Sequence, residues 1–270
     1  MAALVLEMIN LTSKPIKLIL VLIIVAVFLM IRSGQAQHTE REAKGPLAEF
    51  HMARLKYSPS PQSNRGFRSY MWAIDYPAAE YHFTQGVRRL TRVNTHGDSI
   101  HLFLTDEQIF DYPWLFAQQV GTWTLTDPEI ANLREYLGRG GFLIVDDFHG
   151  AYEWQVFIFT MRKVFPDRPI VDLLDSDEIL HVFYDLDRNT QIPGRRHLYR
   201  TRSGEISANM HGEATWRGIY DDEGRLMVAI NFNMDMGDAW EHADDPVYPE
   251  PMTALAYRFG INYLIYSMTH

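Results

Sequence analysis

The fold is decided by residues 140–154, which read GGFLIVDDFHGAYEW. The uninterrupted apolar run FLIV is typical of a strand that is covered on both faces in a parallel sheet. Asp146, Asp147 and His149 follow it directly. Unpaired charged groups are costly inside a closed core, so these three residues raise the question of whether the strand surfaces at the rim of a site.

Strands and helices alternate on both sides of this stretch. A capping box, in which Thr126 and Glu129 bond each other's backbone amides, opens the preceding helix, and Gly138 ends it. We predict strands at residues 67–74, 99–104, 112–118, 141–147, 169–174, 216–220 and 225–232, and helices at 75–93, 126–138, 153–165 and 253–268. The last two strands are predicted as a hairpin. This order predicts one α/β domain with a mainly parallel sheet, helices on both faces and a late antiparallel addition.

The N-terminal region differs in composition from this domain. Residues 18–31 are apolar and uncharged, and Lys14 and Lys17 precede them. The run is shorter than the roughly 20 residues of a bilayer span and suits the apolar region of a secretory signal that is cleaved before Gln37. Residues 1–36 are therefore predicted as a signal peptide. The alternative is an uncleaved membrane anchor. In both cases we expect the remainder to be exported, either periplasmic or tethered to the cytoplasmic membrane. The polar residues 37–66 predict a linker, or an arm lying on the domain of residues 67–270.

Composition excludes several functions. The chain has no cysteine, which removes the thiol as nucleophile, metal ligand and lipid attachment point. Its net charge is −9 and its basic residues are scattered, so no nucleic-acid partner is expected. Gly140 and Gly141 lead from a helix into a strand, the reverse of a dinucleotide fingerprint. The partners left open are an envelope protein, a polar small molecule and, through an uncleaved anchor, the membrane.

Polar groups follow several of the predicted strands. Ligands of open α/β sheets bind beyond the carboxyl ends of the strands, and we expect the groups at those ends to share one rim. The aromatic candidates are included because a tryptophan is costly on an idle loop, although core packing is the alternative for Trp123. The candidate ligand-binding residues are Asp75, Gln118, Trp123, Asp146, Asn231, Asn233, Asp235, Asp238 and Trp240.

Asp147 and His149 are the predicted catalytic pair. Side chains alternate along a strand, so these two face the same way while Asp146 faces the other. An Asp-x-His pair can orient an imidazole for acid-base chemistry or bind a divalent metal, the one cofactor considered. The candidate metal ligands are Asp147, His149, Asp235 and His242. The alternative is that both aspartates cap the next helix and His149 is solvated.

Four segments resemble a known bacterial family. They are residues 75–80 (DYPAAE), 133–143, 146–150 (DDFHG) and 231–240. From about residue 50 to the C terminus the chain resembles the family catalogued as domain of unknown function 4159. This resemblance implies a fold similar to class I glutamine amidotransferases and ThuA-like proteins, a flavodoxin-like three-layer α/β sandwich.

The resemblance implies less about the reaction. In amidotransferases the corresponding strand leads to a cysteine nucleophile, whereas here Asp146 and Asp147 hold that place, so glutaminase activity is not implied. ThuA-like proteins have a histidine soon after a Gly-Gly strand, which His149 matches. Two functions stay open: a ligand-binding or scaffolding domain of the cell envelope, and a hydrolase-like, metal-dependent enzyme acting on a polar or carbohydrate-type ligand.

Overall fold

A mainly parallel sheet lies at the centre of the computed structural model, which describes residues 48–60, 66–187, 190–210 and 212–270. Within these residues the strands are β1 Ala53–Lys56, β2 Ser58–Pro59, β3 Ile100–Phe103, β4 Trp114–Gln118, β5 Trp123–Thr124, β6 Phe142–Phe148, β7 Val171–Asp172, β8 Leu198–Arg200, β9 Ile206–Ala208, β10 Thr215–Tyr220 and β11 Leu226–Phe232. The α-helices are α1 Ala78–Leu90, α2 Asp127–Gly138, α3 Gly150–Val164, α4 Met236–Glu241 and α5 Glu250–Thr269. The 3-10 helices are Gly66–Ala73, Glu107–Asp111, Val120–Thr122, Glu178–Leu180 and Arg195–His197.

Seven of the described strands form the central sheet, in the order β3-β1-β4-β6-β11-β10-β7. The five strands from β3 to β11 are parallel to their neighbours, whereas β10 runs antiparallel to both β11 and β7. The predicted α/β class, parallel sheet and late hairpin are therefore confirmed. Two smaller antiparallel pairs, β2-β5 and β8-β9, lie outside the central sheet.

Helices cover both faces of this sheet. One hydrophobic cluster unites the sheet with α1, α4 and α5, and the other unites it with α2 and α3. Along β6, Phe142 and Ile144 belong to the first cluster while Leu143 and Val145 belong to the second, as the period of a strand requires. The FLIV run is therefore buried on both faces, as predicted. The capping box of α2 is also present, with the Thr126 amide donating to Glu129 at 2.7 Å.

Two predictions for the region before α1 are wrong. The first strand is predicted at residues 67–74, but residues 67–73 belong to the 3-10 helix Gly66–Ala73 and residue 74 to a turn. The sheet strand of this region is instead β1, inside the segment predicted as a linker or arm. Residues 67–74 are predicted as a strand because they are rich in the aromatic types that strands favour. In the structure β1 pairs with β4 in their place. β1 lacks an apolar run because Arg54 and Lys56 interrupt it, and Arg54 is buried through its pairing with Glu80 of α1.

The N-terminal predictions fall mainly outside the described residues. The predicted signal peptide or anchor at 1–36 and the arm residues 37–47 and 61–65 belong to that part of the chain. In the part that the structure does describe, we find no helix with the length and apolar character needed to cross a membrane.

Candidate functional site

The carboxyl ends of β1, β4, β6 and β11 lie along one edge of the sheet because these strands are parallel. A cavity of about 280 Å³ opens at this edge. Its lining residues are Ile74, Asp75, Asp147, Arg195, Arg196, Asp235, Asp238, Glu241 and His242. The structure therefore brings together five residues predicted from the sequence, namely Asp75, Asp147, Asp235, Asp238 and His242.

The backbone is strained at each segment that forms this edge. Among the residues described, the non-glycine residues with positive φ are Asp75 (64°), Gln119 (53°), Asp147 (51°) and Asn233 (58°). Gln119 and Asn233 directly follow β4 and β11, Asp147 is the penultimate residue of β6, and Asp75 precedes α1. Such conformations cost about 1–3 kcal/mol each and cluster at binding and catalytic sites. Their concentration here indicates a functional edge.

Asp147 and His149 form a buried pair at the end of β6. Asp147 Oδ1 lies 2.8 Å from His149 Nε2, and the two side chains are only 3% and 4% exposed. Asp147 Oδ2 accepts a 2.5 Å hydrogen bond from Gln119 Nε2. The His149 amide donates to Glu153 at 2.6 Å, and burial raises the pKa of Glu153. The carboxylate thus orients the imidazole, which acid-base chemistry requires.

Asp146 faces the opposite way and supports α4. It is fully buried, and its Oδ2 accepts hydrogen bonds from the amides of Met236 at 2.7 Å and Gly237 at 3.1 Å. Burial, and then the charge of Asp147, raise the pKa of Asp146 to about 7. Asp146 therefore holds the first turn of α4 and does not line the cavity. The alternative prediction, that both aspartates cap α3, is wrong, because Asn233 accepts from the Gly150 amide there.

Asp75 and Asp235 are carboxylates of the cavity wall with strongly raised pKa values. Asp235 caps α4 by accepting from the Asp238 amide at 2.9 Å, and Asp75 Oδ2 accepts from Gln118 at 2.5 Å. Burial is the largest cause of each shift, followed by the charges of Asp147 and then Asp238. A compact group of carboxylates thus disfavours its own full ionisation.

A buried hydrogen-bond chain beneath the cavity fixes the position of Asp75. Arg54 donates through Nε to Glu80 and through Nη1 to Gln118 Oε1 at 2.5 Å. Because a guanidinium can only donate, the Gln118 amide must turn its Nε2 toward Asp75. A Cβ at Gly237 would lie 1.8 Å from that Nε2, so the close packing of α4 against Gln118 requires glycine at this position. No sequence motif marks Arg54, whereas Glu80 ends the DYPAAE segment.

One group of predicted metal ligands lies beside the cavity, whose wall includes Asp147 and Asp235 but not His149. Asp147, His149 and Asp235 are all buried, and each offers a donor atom within 4.8 Å of the other two. Imidazole and carboxylate oxygens are common ligands of Zn²⁺ and related divalent ions. The three residues therefore suit a divalent cation, as the sequence predicts for them.

The fourth predicted metal ligand, His242, belongs to a different group. Its Nε2 lies 3.8 Å from Asp238 and 3.5 Å from Glu241, and these three residues form a less buried set of possible donors. The prediction that places His242 with the β6 pair in one ligand set is wrong, because His242, at the C-terminal end of α4, has its donor atoms near those of Asp238 and Glu241 instead. A third set of donors, from Asp75, Asp235 and Asp238, shares one residue with each of the other two.

The two predicted tryptophans are part of the hydrophobic core. Trp240 is fully buried and stacks on Phe83, with the ring centroids 4.3 Å apart. Trp123 is 1% exposed and stacks on Phe157 at 6.0 Å. Neither lines the cavity, so the structure gives no support for their predicted ligand contact. Large aromatic side chains gain most from such burial.

The predicted asparagines also have structural contacts. Asn231 is fully buried and accepts a hydrogen bond from the Tyr263 hydroxyl at 2.8 Å. Asn233 donates to the carbonyl of Glu213 at 3.0 Å. Both lie beside the edge and outside the cavity wall, and Gln118 lies beneath it, where it orients Asp75.

Two arginines that no motif marks bring positive charge to the cavity. Arg195 Nε lies 3.1 Å from Asp245 Oδ2, and the Arg195 amide donates to Asp238 at 2.7 Å. The Arg196 side chain is 60% exposed, and its Nη2 lies 4.0 Å from Asp147 Oδ1. The cavity is therefore acidic at its base and basic at its mouth.

Comparison with known proteins adds a family but no activity. A model of the family described as "Domain of unknown function (DUF4159)" matches residues 51–268. The match runs from before β1 to the last turn of α5 and includes every residue of the cavity wall. No curated protein matches the chain.

Proposed function

The chain belongs to the DUF4159 family, and from its site we propose that it is a metal-dependent enzyme of hydrolase type that acts on a polar ligand. One observation carries this proposal: the buried donors of Asp147, His149 and Asp235 lie within 4.8 Å of one another. They lie at an edge of strained backbone that opens into a cavity. Sites of this kind combine polar convergence with concave shape.

The charge balance of the cavity supports a bound cation. Five carboxylates and two arginines line it, and Arg195 is paired with Asp245. The raised pKa values of Asp75 and Asp235 follow from burial and mutual repulsion. A divalent ion held by Asp147, His149 and Asp235 would favour the ionised form of Asp235, because an opposite charge reverses the effect of repulsion.

The arrangement suits hydrolysis in which the chain supplies ligands and a proton carrier. A divalent cation held by Asp147, His149 and Asp235 would supply Lewis-acid chemistry and would activate a water for attack. Asp147 orients His149, and Gln119 in turn holds Asp147. Asp75, whose pKa is raised well above its usual value, is the group that we assign as the general acid.

The finer fold assignment belongs to the same proposal. A mainly parallel sheet with helices on both faces supports a flavodoxin-like fold similar to class I glutamine amidotransferases. The chain has no cysteine, and β6 ends in Asp146 and Asp147, so the proposed chemistry uses no thiol nucleophile. Export, tethering to a membrane and an envelope partner stay predictions from the sequence.

Cation binding is the first test. The full chain is stripped with a chelator and its thermal unfolding is followed with Mg²⁺, Ca²⁺, Mn²⁺ or Zn²⁺. An ion at 100 times its dissociation constant should add about 2.7 kcal/mol to the free energy of unfolding. His149→Ala and Asp235→Asn should abolish the gain. His181→Ala is the matched control, because His181 also contacts a carboxylate, Asp185 at 3.0 Å, but lies outside the cavity.

Activity is the second test. Nitrophenyl esters, phosphates and glycosides are assayed with the cation that stabilises the chain most, and any hydrolysis should require both the cation and His149. No stabilisation by any of the four ions would contradict the metal site. Cation binding by a wild-type chain that hydrolyses none of these compounds would favour the other predicted function, a ligand-binding domain.

A further inference from the structure

The loop ending in the 3-10 helix Arg195–His197 is fixed against the cavity by its backbone. The Arg195 amide donates to Asp238 Oδ2 at 2.7 Å. Gly194 lies so close to the site that a Cβ there would be 2.6 Å from Asp235 Oδ2. The position of this loop is therefore coupled to two carboxylates of the cavity, which places the side chains that follow at its mouth.

The two arginines of this loop differ in their partners. Arg195 is neutralised by Asp245, at 3.1 Å. Within the described part of the chain, the Arg196 guanidinium makes one hydrogen bond, from Nε to His197 Nε2 at 3.1 Å. Arg196 therefore keeps donors on its Nη atoms for another group.

Asp147 is a weak partner for those donors. Arg196 Nη2 is 4.0 Å from Asp147 Oδ1, which is beyond hydrogen-bond distance. Both oxygens of Asp147 are already occupied, Oδ1 by His149 at 2.8 Å and Oδ2 by Gln119 at 2.5 Å. A cation held by Asp147 would weaken the attraction further, because the carboxylate charge is then shared with the ion.

We infer that the ligand of this site carries an oxyanion group that lies between the cation and the Arg196 guanidinium. The inference rests on the proposed function and names the chemical class of its ligand. A cation at the base of a small cavity and a guanidinium at its mouth both attract negative charge. The planar guanidinium also matches the paired oxygens of a phosphate, a sulfate or a carboxylate, the three groups that share this chemistry.

Anion binding to the cation-loaded full chain tests the inference. Inorganic phosphate, sulfate and acetate are titrated by calorimetry, and the anion that binds best distinguishes a tetrahedral group from a carboxylate. Arg196→Gln should weaken binding of that anion at least about tenfold and leave cation binding equal or tighter. Arg196→Lys, which keeps the charge, should recover part of the affinity. Arg202→Gln is the matched control, since Arg202 is exposed in the β8-β9 turn outside the cavity.

The outcomes separate this inference from the proposed function. If the cation-loaded wild type binds none of the three anions, or if Arg196→Gln binds them equally well, the inference is overturned and the cation site stands. If Arg196→Gln loses cation binding together with anion binding, Arg196 has a structural role and the inference is again overturned. Failure of the proposed function is seen earlier, as an absence of cation binding before any anion is added.

Discussion

Asp146 is expected to make the folded chain less stable as the pH rises. Its pKa is raised from 3.8 to about 7, chiefly by burial. A shift of one unit corresponds to about 1.36 kcal/mol, so this shift corresponds to a cost on the order of 4 kcal/mol once the group is ionised. Between about pH 4 and pH 7 the native state keeps a proton that the unfolded state has released. Stability contributed by this proton is complete below the unfolded pKa and is lost as the pH rises through the folded one.

Asp146→Asn removes this ionisation with little change in shape. The amide oxygen of asparagine can accept the hydrogen bonds that the Met236 and Gly237 amides give to Asp146 Oδ2. We expect the free energy of unfolding of the variant, relative to wild type, to rise by roughly 3–4 kcal/mol between pH 4 and pH 8. Urea denaturation in chelator-containing buffer, followed by tryptophan fluorescence at several pH values, measures this difference.

Parallel pH curves for the variant and the wild type would refute a buried ionisation at Asp146. Asp167→Asn is the control, because Asp167 is exposed and should leave the curve unchanged. A saturating divalent cation should reduce the wild-type loss at high pH, since the ion favours the ionised carboxylates beside it. A loss of the same size with and without the cation would contradict binding near this group.

Three further predictions concern the packing and charge of the same site. Gly237→Ala should destabilise the chain by about 1–3 kcal/mol and weaken cation binding, because its Cβ would meet Gln118 Nε2 at 1.8 Å. The control Gly138→Ala, whose Cβ would have no atom within 4 Å, should be neutral or slightly stabilising. Thermal melts and cation titrations compare the two variants. Arg54→Met should lower the free energy of unfolding, measured by urea denaturation, by about 3–5 kcal/mol, because it leaves Glu80 buried without its partner. Adding Glu80→Gln should recover part of this loss. Additive losses in the double variant would be evidence against the ion pair. Cation affinity should rise with pH, and binding should release protons, because the ion displaces the proton from Asp235, whose pKa is raised by burial. Calorimetry in two buffers of different ionisation enthalpy counts these protons, and an affinity independent of pH would exclude the effect.

The common edge of the site could be predicted because it follows from local pattern and chain order. The FLIV run identifies β6 as a strand covered on both faces, and alternation along it separates Asp146 from Asp147 and His149. Parallel strands end at the same edge, so the acidic segment after β11 had to approach that pair. Asp235 and Asp238 could therefore be predicted as site residues without knowledge of any contact between distant residues.

Other parts of the site depend on contacts between distant residues. The burial of Arg54 requires Glu80, 26 residues later, and Gln118, 64 residues later, so the sequence around β1 predicts a solvated segment. Trp240 is buried by Phe83 of α1, and the six residues of α4 are too few to show the periodicity of a packed helix. Arg196 reaches the cavity through a loop fixed by backbone contacts, which no pattern of side chains reports.

Strain and buried charge at this edge are not explained by folding alone. Left-handed conformations at Asp75, Gln119 and Asp147 each cost about 1–3 kcal/mol, and glycine at these positions would remove that cost. Part of the charge does have a structural use, because Asp146 and Asp235 bond the first turn of α4. The side chains of Asp75 and Asp147 bond instead to other polar side chains of this edge, Asp75 to Gln118 and Asp147 to Gln119 and His149. A bound cation would offset the repulsion between these carboxylates. Its binding free energy would also compensate for the conformational cost of the left-handed residues that place the donor atoms around one point.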